Sequence, residues 1–217
     1  MLICTMTQTK GGSGKSTLAQ CVAVEAVRDG RSVLLADLDP AQSAAKWWRR
    51  RGGPTNPMLE TGIRGGMAAL TDSLERKGKP DVLVLDTPGE LMGVIRVAIA
   101  TSNVIVVPMA PSIKDWEAMD SVESIITKAG KLRNTIWVIN RFRTGTEAST
   151  EARRALHKRT GAIPLTVALA TDHERADAEG RSGAEINRKI AGEIGLLWQE
   201  IKRIGEADEQ KTNVPAA

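Results

Sequence analysis

The sequence predicts an α/β fold, a doubly wound and mostly parallel sheet flanked by helices. Three observations carry that expectation. Short apolar runs without polar alternation recur along the chain, as strands covered on both faces require. Amphipathic stretches of helical period separate them. A glycine-rich turn stands between the first run and the first helical stretch.

Residues 2–7 form the first expected strand, and residues 16–28 then carry Leu18, Val22 and Val27 near helical spacing. Gly30 stops that helix. Residues 32–36 are an apolar run ending in Asp37, which completes a βαβ unit. Residues 49–57 are a loop by composition. Residues 81–86 make another buried strand, followed by Thr87-Pro88-Gly89 and a helix-like stretch over residues 90–100. Further strands are expected at residues 104–108, 135–140 and 163–168. A helical pattern over residues 184–204 closes a single domain, residues 1–206, before a polar tail at 207–217 that is expected to be disordered. No internal repeat is visible.

At 217 residues the chain is long enough for one well-buried core. Its composition, 41% apolar and 26% charged, is that of a globular protein, and no apolar run approaches the roughly 18 residues of a membrane span. The N-terminal residues lack the pattern of a secretory signal, so the expected compartment is the cytoplasm. Cys4 and Cys21 have neither metal-ligand spacing nor the density of a disulfide scaffold and read as reduced packing residues. A net charge of +4 permits a polyanionic partner. With five Trp, one Phe and no Tyr, a stacking platform for single-stranded nucleic acid is excluded.

Residues 10–17 read Lys-Gly-Gly-Ser-Gly-Lys-Ser-Thr between a strand and a helix. Gly11, Gly12 and Gly14 let the backbone curl so that N–H groups, Ser13 among them, point into one concavity, and the helix adds its positive end. This is a phosphate-binding loop. Lys15 supplies the charge for the terminal phosphates, the Ser16 hydroxyl is the expected magnesium ligand, and Thr17 touches the first phosphate. The bound cofactors are therefore ATP or ADP with Mg2+.

A basic residue at position 10, five before Lys15, is not needed by an ordinary loop of this kind. With Asp37-Leu38-Asp39-Pro40-Ala41-Gln42 after the second strand and Asp86-Thr87-Pro88-Gly89 after the next, the chain resembles the P-loop NTPases of the deviant Walker A type, specifically the ParA branch of the ParA/MinD family. The resemblance is visible at Pro108-Met109-Ala110-Pro111-Ser112 and Asn140-Arg141 and faint in the last third. It implies a weak ATPase whose ATP-bound form is a face-to-face homodimer, with Lys10 reaching across to the partner's phosphates. It implies that Asp37 orients the attacking water and that Asp39 fixes the switch loop or the magnesium shell, the two roles being exchangeable. Asp86 is expected to hold magnesium through water, so Ser16, Asp37 and Asp86 form the candidate metal set, and Thr87 to Gly89 a switch that senses the γ-phosphate. Asn140 is placed against the adenine, Arg141 stacks on the ring or is merely surface, and the loop at residues 170–174 closes over the base.

Trp47 and Trp48 stand among Lys46, Arg49, Arg50 and Arg51, and helical spacing favours a buried Trp47 over a nucleic-acid patch. Arg153, Arg154, Lys158 and Arg159 lie close together on an expected helix, and Lys202 and Arg203 add to a basic later part of the chain. The resemblance implies that such residues bind double-stranded DNA non-specifically across a dimer, that a small ParB-like or cargo adaptor stimulates hydrolysis, and that the protein is associated with the nucleoid. The short length, with nothing ahead of the loop to read an operator, fits the short type of the family. Rival readings are an accessory ATPase of conjugative DNA transfer of the VirC type and a MinD-like positioning ATPase on a membrane surface. The polar C-terminal residues speak against the latter, so no membrane partner is expected.

Overall fold

The computed structural model describes residues 1–61, 70, 72–75 and 78–212. Seven strands, β1 (Leu2–Met6), β2 (Val33–Asp37), β3 (Met58–Thr61), β4 (Val82–Asp86), β5 (Val104–Met109), β6 (Thr135–Phe142) and β7 (Leu165–Ala168), form one sheet in the order β3-β2-β4-β1-β5-β6-β7. Every pairing is parallel. The helices are α1 (Lys15–Arg28), α2 (Ser43–Arg50), α3 (Met92–Thr101), α4 (Ile113–Lys128), α5 (Glu147–Thr160), α6 (Thr171–Ala178) and α7 (Arg188–Thr212).

The continuous apolar runs have their reason in this layering. All residues of β2, β4 and β5 are buried, and successive side chains enter opposite layers. Val33, Leu35, Val82, Val84, Val104 and Val106 pack with Leu18, Val22, Trp47, Leu197 and Trp198 of α1, α2 and α7. Their neighbours Ile105, Val107 and Ile139 pack with Ile95, Ile99, Met119, Val122 and Leu156 of α3, α4 and α5. Leu34, Ala36, Leu83 and Leu85 meet Leu70, Leu74 and Ala98 in a third cluster. Each such side chain contributes about 1.5–3 kcal/mol on burial, which leaves strands of this composition no stable position at a surface.

The chain winds outward from β1 through β2 to β3, returns with β4, and crosses β1 to continue with β5, β6 and β7. That reversal opens a crevice beyond the carboxyl end of β1. Register brings Met6 of β1 and Asp37 of β2 level with Asp86 of β4, so the glycine-rich loop and two strand-end carboxylates arrive at one edge.

Several expectations are corrected. The stretch expected as a loop at 49–57 is shorter at its start, because α2 runs to Arg50, and β3 follows it as an edge strand of four half-buried residues too polar to stand out in sequence. The last strand begins at Leu165, with Ile163 82% exposed. The loop expected at 170–174 is the first turn of α6 from Thr171 onward. Residues 207–212, expected to be disordered, continue α7, and Asp208 accepts hydrogen bonds from the Asn103 and Asn134 side-chain amides. The remaining tail, 213–217, lies outside the described residues. Helix α4 was not foreseen, although Ser112 caps it by accepting from the Asp115 N–H and Met119, Val122 and Ile126 carry its apolar stripe.

Candidate nucleotide-binding site

The loop after β1 forms as its residues require. Gly14 has φ 98° and ends the loop as the N-cap of α1, and a Cβ there would lie 2.0 Å from the Asn140 amide nitrogen. That amide donates to the Ser13 carbonyl at 2.8 Å, and the Asn140 side-chain oxygen accepts from the Arg141 N–H. Asn140 thus braces the phosphate loop from behind instead of lining the cleft, and only Arg141, held at φ 57°, faces it. Lys15 is buried, and its Nζ donates to the Lys10 carbonyl at 3.0 Å, which aims it along the loop's inner edge. Burial holds its pKa below the ordinary lysine range, and the Asp86 and Asp39 charges pull it back.

The three carboxylates differ in their partners. Asp86 is fully buried, and neither oxygen has a hydrogen-bond partner of good geometry among the described residues. Desolvation, with repulsion from Asp37, pushes its pKa up to about 8, while the Ser16 hydroxyl and Lys15 act in the opposite direction. Asp37 is also buried, but its oxygens accept from the Asp39 N–H at 3.1 Å and the Ala45 N–H at 2.9 Å. Burial raises its pKa as well, with those amides opposing. Asp37 is thus occupied in holding backbone, and Asp39 lines the cleft.

An unpartnered buried carboxylate beside a hydroxyl fits a divalent cation. Ser16 and Asp86 are the groups that would hold magnesium here, whereas both Asp37 oxygens already accept a backbone N–H. No cluster of three or more His, Cys, Asp or Glu suited to a metal occurs among the described residues.

Lys10 sits at the loop's outer rim, 31% exposed, with Nζ 2.5 Å from the buried Asp115 carboxylate of α4. Asp115 also accepts from the Ser112 hydroxyl. This partner is 105 residues away and carries no local sequence signal. At the other end of the cleft, α6 contributes His173, Glu174 and Asp177. The His173 ring nitrogens are buried without hydrogen-bond partners among the described residues, and desolvation keeps the imidazole below its usual pKa. The whole cleft, about 570 Å³, runs from Gly11, Gly12, Lys15 and Ser16 past Asp39 and Gly89 to Arg141 and α6.

Cys4 and Cys21 are buried and free, as expected, and burial raises both thiols, Cys21 to about 12. Trp47 is fully buried. Among the described residues no helix is long and apolar enough to cross a membrane.

Known proteins share this architecture. The chain is similar in fold to a plasmid partition protein of Borrelia burgdorferi solved with AMPPNP, at 20% identity over 94% of this chain and 97% of that one, with a TM-score of 0.71. It is similar also to the MinC:MinD cell division protein complex of Aquifex aeolicus (14% identity, 100% and 98% covered, TM-score 0.72) and to McdA of Cyanothece (14%, 94% and 99%, 0.70). No curated protein matches. The model of the CobQ/CobB/MinD/ParA nucleotide-binding domain matches residues 4–182, and the chain belongs to that family.

Proposed function

We propose that this protein is a ParA-like ATPase that forms an ATP-dependent sandwich dimer, binds duplex DNA without sequence preference, and is cycled by a partner protein that stimulates hydrolysis. Its task is to segregate or position a plasmid, a chromosome or another cargo on the nucleoid. One observation carries this reading: a second loop lysine, Lys10, stands beside the phosphate loop with its ammonium paired to Asp115, while Lys15 donates to the Lys10 backbone carbonyl. A rim lysine neutralises γ-phosphate charge most effectively from a second subunit, as an arginine finger does.

Within one subunit the loop N–H groups and Lys15 bind the phosphates. Ser16 and Asp86 would hold magnesium, which would supply charge neutralisation at the phosphates. Asp39 orients the attacking water, and Asp37 positions Asp39 through its N–H. Gly89 of the Thr87–Gly89 turn lines the same cleft, where it can report the γ-phosphate to α3.

Lys10→Ala and Lys15→Ala test this together. Lys15→Ala abolishes ATP binding. Lys10→Ala keeps ATP affinity within about threefold, a difference below about 1 kcal/mol, and loses ATP-dependent dimerisation by light scattering. A Lys10→Ala protein that dimerises with ATP like the parent overturns the reading.

A further inference from the structure

Helix α2 joins two parts of the cleft that are far apart in sequence. At its start, the Asp37 carboxylate accepts from the Asp39 N–H at 3.1 Å and the Ala45 N–H at 2.9 Å. The Asp39 side chain accepts in turn from the Ala41 N–H. The loop that carries Asp39 and the first turn of α2 therefore hang on a single buried group.

At its end, α2 grips the opposite wall. The Arg51 guanidinium donates to both Glu185 oxygens, at 2.7 and 2.9 Å, and to the Gly180 carbonyl at 3.0 Å. It also lies over the Trp47 ring, 5.4 Å from the centroid. The Trp47 indole donates to the Arg181 carbonyl at 3.0 Å. Arg50 donates to the Asp177 carbonyl and carboxylate. Gly180, at φ 66°, comes so close that a Cβ would lie 2.2 Å from the Arg51 nitrogen. Glu185 accepts in addition from the Ser182 N–H, which ties the 3-10 turn at Gly183–Glu185 into the same grip. The wall so held is the end of α6 at Asp177 and the turn that follows it, Gly180 to Glu185, and His173, Glu174 and Asp177 of α6 line the cleft.

An eight-residue helix is a rigid strut of about 12 Å. Its two ends are fixed by a buried carboxylate and by a forked, bidentate ion pair, the geometry that resists rotation best. We infer that α2 couples the α6 end of the cleft to Asp39, so that a nucleoside seated against α6 sets the carboxylate in its hydrolytic position, with Arg51 as the positioning residue. The inference rests on the reading of the cleft as an ATP site. It names the part of the substrate that licenses turnover: the base and ribose, acting at a distance from the phosphates.

The test compares ATP with ribose 5-triphosphate, which carries the phosphates without a base, in single-turnover hydrolysis with each substrate saturating. The parent hydrolyses bound ATP faster than bound ribose 5-triphosphate. In Arg51→Met and in Glu185→Gln that ratio falls by about threefold or more, within the range of energetic coupling between linked sites, through a slower ATP step. Arg51→Lys, which keeps one donor, recovers part of it. A merely structural bolt lowers the melting temperature and slows both substrates alike, so a parental ratio in Arg51→Met and Glu185→Gln overturns the inference. So does a parent protein that turns over the two bound triphosphates equally. A parent with no ATP turnover at all overturns instead the ATPase reading on which the inference rests.

Discussion

Asp86 and Asp37 end neighbouring strands in register, and their environments assign them different tasks. Asp86 is the one whose two oxygens lack a hydrogen-bond partner of good geometry among the described residues. Its pKa, about 8 against an ordinary 3.8, means that the folded protein binds a proton that the unfolded chain has lost between those values. Stability of the nucleotide-free protein in EDTA therefore falls as pH rises from about 4 to about 8, and Asp86→Asn removes that fall. At pH 8 the variant should be more stable than the parent by about 1–3 kcal/mol while losing magnesium-dependent nucleotide affinity. Denaturant titrations at pH 5 and pH 8 check the sign. The two remaining carboxylates separate by substitution. Asp39→Ala should keep ATP binding and lose hydrolysis, trapping the dimer. Asp37→Ala should in addition lower stability, since it leaves the Ala45 and Asp39 amides without an acceptor, at about 1–3 kcal/mol. Equal turnover in Asp39→Ala and the parent would return the water-orienting role to Asp37.

At the scale of the element, α2 departs most from its sequence. Trp47 is fully buried, as its helical spacing favours, while the unforeseen part is that Arg50 and Arg51, basic residues beside it, are spent on internal partners. Trp47→Ala should cost about 3–5 kcal/mol, from the cavity and from the lost hydrogen bond to Arg181. Lys46→Ala, on an exposed side chain of the same helix, should stay within about 0.5 kcal/mol. Thermal melts of the pair check this, and equal effects would mean that α2 is not packed as described.

At the scale of the whole molecule, the candidate DNA-binding residues sort themselves by what they already hold. Lys202 is paired with Asp29 and stacked against Trp198, and Arg203 is paired with Glu200. Arg159 is paired with Asp120 and Glu123. Arg153, Arg154 and Lys158 of α5 are exposed and have no ion-pair partner among the described residues. The Arg153→Glu, Arg154→Glu double variant should therefore weaken ATP-state binding to every duplex alike and leave dimerisation untouched. The double reversal of Lys202 and Arg203 should do less. Parental binding should weaken linearly in log salt, with a slope of about −0.9 per phosphate neutralised. Fluorescence anisotropy with two unrelated duplexes across a salt series measures both, and no binding at low salt with ATP excludes the nucleoid as the matrix.

The fold class, the phosphate loop, the burial of Trp47 and the two strand-end carboxylates were legible in the sequence because each is written in adjacent residues: a doubly buried strand must be apolar throughout, and a phosphate nest needs glycines at fixed spacing. Edge strand β3 was not, since half its surface faces solvent and its composition follows no rule of burial. The α6 wall and the ordered turns of α7 beyond residue 206 were hidden for a related reason: polar residues become ordered when distant partners satisfy them, as Asn103 and Asn134 do for Asp208. The same cause governs the site. Residue types together with the family resemblance nominate Lys10, Asp37, Asp39 and Asn140 for nucleotide chemistry, and what each can do depends on which of its atoms are already bonded. Only tertiary structure decides that both Asp37 oxygens hold backbone amides, that Asp39 lines the cleft, that Asn140 braces the loop and that Lys10 rests on Asp115, because those bonds close across 2 to 127 positions of chain.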